Sequence, residues 1–125
     1  MKYKVMIVED QTMPRELFEL RIQASEHFEV ALSIDNAALA DVYCLRFPVD
    51  LILMDVVTRN GESGLDAAER IKRAFSQIKI IIVTSMPECS YLSRAREIGV
   101  ESFWYKEEQR ESLLDVMERT MNGES

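Results

Sequence analysis

The sequence predicts a doubly wound α/β sandwich, in which a five-stranded parallel sheet carries five helices on its two faces, three layers in all. Three observations carry that expectation. Five short, β-rich apolar runs alternate with five amphipathic stretches at helical spacing. Two of the runs, Leu51-Ile52-Leu53-Met54 and Ile80-Ile81-Ile82-Val83, are apolar at every successive position. A strand needs that when helices cover both faces of its sheet. Only four glycines and three prolines punctuate 125 residues, so the connections are short.

The elements follow in order. Tyr3–Val8 is the first run, and Leu17, Leu20 and Ala24 mark the helix after it, which Thr12 and Pro14 open. Phe28–Leu32 is the second run, followed by a helix marked by Leu39, Val42 and Leu45. Asp50–Met54 leads into the third helix, marked by Leu65, Ala68, Ile71 and Phe75. Lys79–Val83 precedes a shorter helix with Leu92, Ala95 and Ile98, which Pro87 introduces and Gly99 closes. Glu101–Tyr105 is the last run, and Leu113, Val116, Met117 and Met121 mark the last helix, closed by Gly123.

Composition narrows the function classes. Fifteen Lys and Arg against 22 Asp and Glu leave a net charge of −7, with an isoelectric point near 4.8. Phosphate-backbone binding needs clustered cations, so a nucleic-acid face on this chain is not expected. No apolar run reaches the ~18 residues of a membrane span. Met1-Lys2-Tyr3-Lys4 enters an apolar stretch that stops at Glu9 without a small-residue cleavage site, so no signal peptide is expected. Two cysteines, Cys44 and Cys89, fit neither a disulfide framework nor a zinc cluster and read as small buried hydrophobes. The expectation is one soluble, acidic, cytoplasmic domain.

Ligands of such sheets bind beyond the carboxyl ends of the strands, so the residues ending each run are the informative ones. The first run ends in Glu9-Asp10, the third in Asp55, the fourth in Thr84-Ser85 and the fifth in Lys106. The second ends in Ser33-Ile34-Asp35, which lacks a comparable cluster. With the first, third and fourth runs adjacent, three carboxylates, a hydroxyl and an ammonium share one crevice. At ~4 Å and an effective dielectric of ~20, each carboxylate pair repels by roughly 4 kcal/mol. Either pKa values rise or a cation sits there, and oxygen-only ligands favour Mg²⁺. A carboxylate can also act as a nucleophile toward a phosphoryl group. The developing charge would meet a metal on Glu9 and Asp10, the Lys106 ammonium and the Thr84 hydroxyl.

Four strand-end motifs, Val8-Glu9-Asp10, Asp50-Leu51-Ile52-Leu53-Met54-Asp55, Ile82-Val83-Thr84-Ser85 and Lys106, stand in this order. Together they resemble the response-regulator receiver domains of two-component signalling, from Lys4 to about Gly123. The intervals Asp10 to Asp55 (45), Asp55 to Thr84 (29) and Thr84 to Lys106 (22) suit that family. The resemblance implies a flavodoxin-like sheet of order 2-1-3-4-5, with residues 1–123 forming the domain and 124–125 beginning a linker. It implies that Asp55 is the phosphoacceptor. Glu9 and Asp10 form its acidic pocket, and Mg²⁺ is held by Asp10, Asp55 and the Val57 carbonyl. Thr84 is the switch hydroxyl, and Phe103, three before Lys106, the switch aromatic.

The implied partners are a sensor histidine kinase and a second copy, paired through the fourth helix, fifth strand and fifth helix on activation. No membrane partner and no enzymatic turnover are implied. The tail Lys106-Glu107-Glu108-Gln109 resembles receivers that precede LuxR-type helix-turn-helix domains, so DNA would be reached only through an output domain outside this sequence. Two departures stand out. Most receivers have a proline four residues after the acceptor and a glycine eight after it, where this chain has Arg59 and Ser63. The glycine comes at Gly64, so the loop Val56–Ser63 is expected to be one residue longer, with Gly61 supplying a turn.

Other readings compete. A receiver-like module that binds partners without phosphorylation is the alternative that the unusual loop keeps open. A haloacid-dehalogenase-type phosphatase needs a second acid two residues after its nucleophile, which Asp10-Gln11-Thr12 and Asp55-Val56-Val57 lack. Phe103, Trp104 and Tyr105 read mostly as packing. His27 stands far from any candidate site. Asp66, Glu69, Arg70 and Lys72 read as a solvated helix face with i,i+3 and i,i+4 pairs.

Overall fold

The five runs become strands β1 (Tyr3–Val8), β2 (Phe28–Ile34), β3 (Leu51–Asp55), β4 (Lys79–Thr84) and β5 (Ser102–Tyr105). All pair in parallel in the order β2-β1-β3-β4-β5, the flavodoxin-like arrangement. The computed structural model describes residues 1–58, 61–85, 89–106 and 111–123, with residues 89 and 90 described by backbone alone. Arg59, Pro87, the Cys89 side chain, the tail after Lys106 and residues 124–125 lie outside the described residues.

Helices α1 (Thr12–Gln23), α2 (Ala40–Arg46), α3 (Gly64–Ala74), α4 (Cys89–Ile98) and α5 (Leu113–Met121) connect and cover the strands, with a 3-10 turn at Ala37–Leu39 leading into α2. Strand alternation sorts the core into two layers. Met6, Val8, Ile52, Met54, Ile80 and Ile82 pack with α2, α3 and α4 on one face. Val5, Ile7, Leu51, Leu53, Ile81 and Val83 pack with α1 and α5 on the other. The all-apolar strand runs thus have the two-sided burial expected of them.

Strands β2, β3 and β4 end one or two residues later than the apolar runs, at Ile34, Asp55 and Thr84, while β1 and β5 end where expected. The Glu9 N–H donates to the Ile34 carbonyl at 3.0 Å, and Asp55 pairs beside Val83 as the last residue of β3. The first helix opens at Thr12, as expected; Gln11 precedes it without a side-chain capping bond. Pro14 lies in the first turn, where a missing N–H costs no intrahelical bond.

The larger correction concerns which face of two helices is inward. Leu17 and Leu20 on α1 are 45% and 64% exposed, whereas Phe18 and Ile22 are buried. Ala24 lies exposed just past the helix end. Leu39, Val42 and Leu45 are exposed too, and Ala37, Ala40 and Cys44 seat α2 instead. Periodicity identifies an apolar stripe but not the side it faces. Small residues let α2 approach the sheet closely, leaving its larger side chains outside.

The polar face of α3 is likewise tied to neighbours more than to itself. Arg70 pairs with Asp41, Lys72 with Glu101 at 2.7 Å, and Asp66 with Arg94 of α4. Glu69–Arg73 is the i,i+4 pair of the expected kind. Lys72 is the clearest departure from a solvated face: its side chain is 11% exposed and also donates to the Ile78 carbonyl.

Candidate functional site

Sheet order alone brings the polar strand ends together. β1, β3, β4 and β5 are consecutive neighbours, so Glu9-Asp10, Asp55, Thr84 and Lys106 converge at one carboxyl edge. A cleft of about 450 Å³ opens there, lined by Asp10, Asp55, Val57, Thr84, Tyr91 and Lys106 among others. Carboxylate oxygens of Glu9, Asp10 and Asp55 lie within 4.8 Å of one another.

Glu9 is the buried anchor of the group, at 1% exposure. Its Oε1 accepts from Lys106 Nζ at 2.5 Å and its Oε2 from the Gln11 N–H at 3.2 Å. Arg15 Nη1 donates to the Glu9 carbonyl at 3.0 Å, tying the first turns of α1 to the strand end. Lys106 is fixed from behind, its N–H donating to the Thr84 carbonyl at 2.9 Å. From there its ammonium also reaches Asp55 Oδ2 at 3.9 Å. Asp55 Oδ1 accepts from the Val56 N–H at 2.9 Å, which leaves Oδ2 turned toward the ammonium.

The charges are unequal by design of the surroundings. Burial raises the Glu9 carboxyl, but the hydrogen bond and charge of Lys106, with the Gln11 N–H, outweigh it and hold Glu9 below its ordinary value. Asp55 goes the other way. Burial and then the negative charge of Glu9 push it up to about 7, against the pull of Lys106. Glu9 therefore holds the charge of the pair, and Asp55 holds the proton until near neutrality.

The loop between β3 and α3 folds into a small hairpin. Val57 bridges Ser63 in antiparallel fashion, the Thr58 N–H donates to the Glu62 carbonyl at 2.9 Å, and Gly61 turns the chain at φ 72°. The turn expected at Gly61 is there. Val57 stays at the cleft. Thr58, which sequence reasoning passed over, is the staple. It is 2% exposed, accepts the Ala37 N–H at 2.9 Å and donates to the Glu62 carbonyl at 3.0 Å. Replacing Thr58 with valine should leave that N–H unsatisfied and cost about 1–3 kcal/mol. Urea unfolding measures it, and an unchanged midpoint would show that the staple carries no weight.

Among the aromatics, Phe103 and Trp104 part company. Phe103 pairs with Ile82 in register and packs half-buried on the α3–α4 side, the face that Thr84 shares with Ile82. Trp104 is buried on the opposite side, edge-on to Phe18, and its Nε1–H donates to the Glu111 carbonyl at 2.9 Å. His27 is remote from the cleft and pairs with Glu118 at 2.9 Å. Cys44 is buried, its thiol pushed up to about 11 by burial and by Asp41. Arg15, Tyr91 and Thr58 are the residues missed; a sequence carries no local signal for side chains that act by reaching another element.

Fold and site together define an α/β module built around an acidic crevice that faces one ammonium. Residues 5–118 match the response regulator receiver domain, and the chain belongs to that family. It is 30% identical over 125 residues to the response regulator protein VraR of Staphylococcus aureus (strain Mu3), covering 100% of this chain and 59% of VraR. It is 27% identical over 119 residues to the Fimbriae Z protein of Escherichia coli (strain K12), covering 95% of this chain and 56% of that protein. The chain thus spans less than two thirds of the length of these curated relatives. A DNA-binding response regulator of the LuxR family from Staphylococcus aureus superposes with a TM-score of 0.83 at 26% identity, covering 97% of each chain. Among the described residues, no helix is long and apolar enough to cross a membrane.

Proposed function

We propose that this receiver is a phosphorylation switch: Asp55 takes a phosphoryl group from a sensor histidine kinase, in the cytoplasm, as a stoichiometric acceptor without turnover of its own. The observation that carries this reading is the Lys106 ammonium set between Glu9 and Asp55 in an open cleft that Thr84 also lines. Three clustered carboxylates with hard oxygen donors fit a divalent cation. Asp10, Asp55 and the Val57 carbonyl would hold Mg²⁺, which would neutralise incoming phosphoryl charge and draw the proton from Asp55. Glu9, with both oxygens already engaged, contributes its charge.

Asp55 Oδ2 forms the new O–P bond as the donor's N–P bond breaks, and the leaving imidazole keeps the electron pair and takes up a proton. Lys106 then exchanges its 3.9 Å approach to the carboxylate for a pair with the added group. Thr84 turns its hydroxyl toward the same group, and Phe103, on the shared face, follows into the space. The surface of α4, β5 and α5 changes with it and controls pairing or an output domain. The likeness to a LuxR-family DNA-binding regulator, and the length of the relatives, support a DNA-binding output in a segment outside this sequence.

Acetyl phosphate with Mg²⁺ should add one phosphoryl group by intact mass, labile to hydroxylamine. Asp55→Asn should add none, and EDTA should block the reaction. An unlabelled native chain, or equal labelling of Asp55→Asn, would sink the reading.

A further inference from the structure

Tyr91 reaches the acidic cleft from α4 and has no part in the chemistry described above. It stands in the first turn of that helix, half-buried, and packs against the core layer that also carries Phe103. It lines the cleft together with Asp55, Thr84 and Lys106, and it is the one aromatic side chain among the described residues that do so. Among the described residues its hydroxyl has no hydrogen-bond partner. Packing of the ring, not a bond of the hydroxyl, therefore holds Tyr91 at the cleft.

Arg94, one turn further along α4 and on the same face, ties that turn to α3. Its Nη2 donates to Asp66 Oδ1 and reaches Glu69 Oε1 at 3.5 Å. Asp66 lies in the first turn of α3, where the Ser63 hydroxyl accepts its N–H at 3.2 Å. The start of α3 is in turn fixed to the acceptor strand, the Gly64 N–H donating to the Val56 carbonyl at 2.7 Å. The contacts close a ring. It runs from Asp55 and Val56 to α3, from Asp66 to Arg94, and through the first turn of α4 back to Tyr91 and the cleft. With Arg94 41% exposed, such a pair adds little stability, but it fixes where the turn sits.

Phosphoryl transfer runs in line, so Asp55 Oδ2 holds one apical position on phosphorus and the arriving or leaving group takes the other. Lys106, Thr84 and a cation answer the three equatorial oxygens. The second apical position is where the donor's leaving group departs and where a hydrolytic water must enter. In hydrolysis the water oxygen bonds to phosphorus as the bond to Oδ2 breaks. Oδ2 keeps the electron pair, and the water gives up a proton to solvent as inorganic phosphate leaves.

We propose that the Tyr91 ring covers this second apical position, and that the Arg94–Asp66 tie keeps it there, so that the two set how long a phosphoryl group on Asp55 survives. The inference rests on Asp55 being the acceptor. A ring at that position excludes water without removing any charge that holds the group. Arg94 touches neither phosphorus nor water; it is a positioning residue that acts through Tyr91.

The chain is labelled with acetyl phosphate and Mg²⁺ and freed of donor by desalting, and loss of the added mass is followed with time. Tyr91→Ala should lose label roughly five- to tenfold faster than the native chain, and Tyr91→Leu by a smaller factor. Tyr91→Phe should lose it at the native rate, because the ring does the covering. Tyr91→Ala should also take up label faster, since leaving group and water share one position. Arg94→Gln should lose label about two- to threefold faster, yet add nothing in a Tyr91→Ala background. Arg94→Lys should keep the native rate.

A native rate of loss in Tyr91→Ala would overturn the proposal. So would a changed rate in Tyr91→Phe, since the hydroxyl would then act on the water or the phosphoryl group. Slower uptake by Tyr91→Ala would mark a damaged cleft, and additive effects of Arg94→Gln would give Arg94 a separate role; either sinks it. A native chain that takes no label removes Asp55 as acceptor and this inference with it. The other outcomes, read on a chain that labels, strike Tyr91 alone.

Discussion

Gly64→Ala is expected to be the most damaging of the glycine-to-alanine changes in this chain. A Cβ at position 64 would stand 1.7 Å from the Asp55 carbonyl oxygen and 2.8 Å from its carbon. Backbone cannot step aside as a flexible side chain can, so either β3 or the start of α3 must move. The Gly64 N–H also donates to the Val56 carbonyl at 2.7 Å, and that bond fixes where α3 begins. The expected cost is at least about 3 kcal/mol, roughly 10 °C or more in midpoint temperature. Because the displaced atoms belong to the proposed acceptor residue, labelling by acetyl phosphate should fall even where the variant remains folded. Gly61→Ala is the control. Its Cβ meets nothing within 4 Å, so the cost is the left-handed φ of 72° alone, about 1–2 kcal/mol, with labelling retained. Equal midpoints for the two variants would show that α3 has room to slide.

The second large effect is a gain. In EDTA at pH 8, Asp55→Asn should be more stable than the native chain, by on the order of 2–4 kcal/mol. The asparagine keeps the bond from the Val56 N–H but removes a charge that burial and Glu9 oppose. The pH dependence follows from the raised carboxyl. Between its ordinary 3.8 and about 7, the folded chain holds a proton that the unfolded chain has lost. Unfolding releases that proton, so native stability declines as pH rises through this window and levels off above it. Near pH 4 the difference has shrunk to below about 1 kcal/mol, and the two proteins should unfold at nearly the same urea concentration. Parallel urea curves at pH 4, 6 and 8 measure this. An asparagine variant no more stable at pH 8 than at pH 4, relative to native, would show that Asp55 titrates as an ordinary aspartate.

The acidic crevice is legible in the sequence because it is a one-dimensional fact. Residues at the ends of parallel strands must share an edge, so Glu9, Asp10, Asp55, Thr84 and Lys106 could be read in order from the chain. Helix orientation is different. The stripe of α1 was visible, but with apolar residues on both faces nothing in the spacing told Leu20 from Ile22. Thr58 was invisible for a third reason: its value lies in an N–H donated from position 37, brought close only by the adjacency of two loops. Gly64 stands in the sequence as a displaced glycine, yet its reason is its close approach to the Asp55 carbonyl at the end of β3, which no sequence pattern encodes.

Trp104 is the chain's single tryptophan. It is held by Phe18 on one side and by the Glu111 carbonyl at its indole nitrogen, one residue from Phe103 and two from Lys106. All indole emission therefore comes from one spot, between α1 and β5, the strand that also carries Phe103. Any rearrangement of β5, or any shift of α1 against it, changes the quenching and polarity at that spot. The protein carries its own optical gauge, readable by stopped flow without a label, and the order in which intensity and wavelength shift would time the two events against each other.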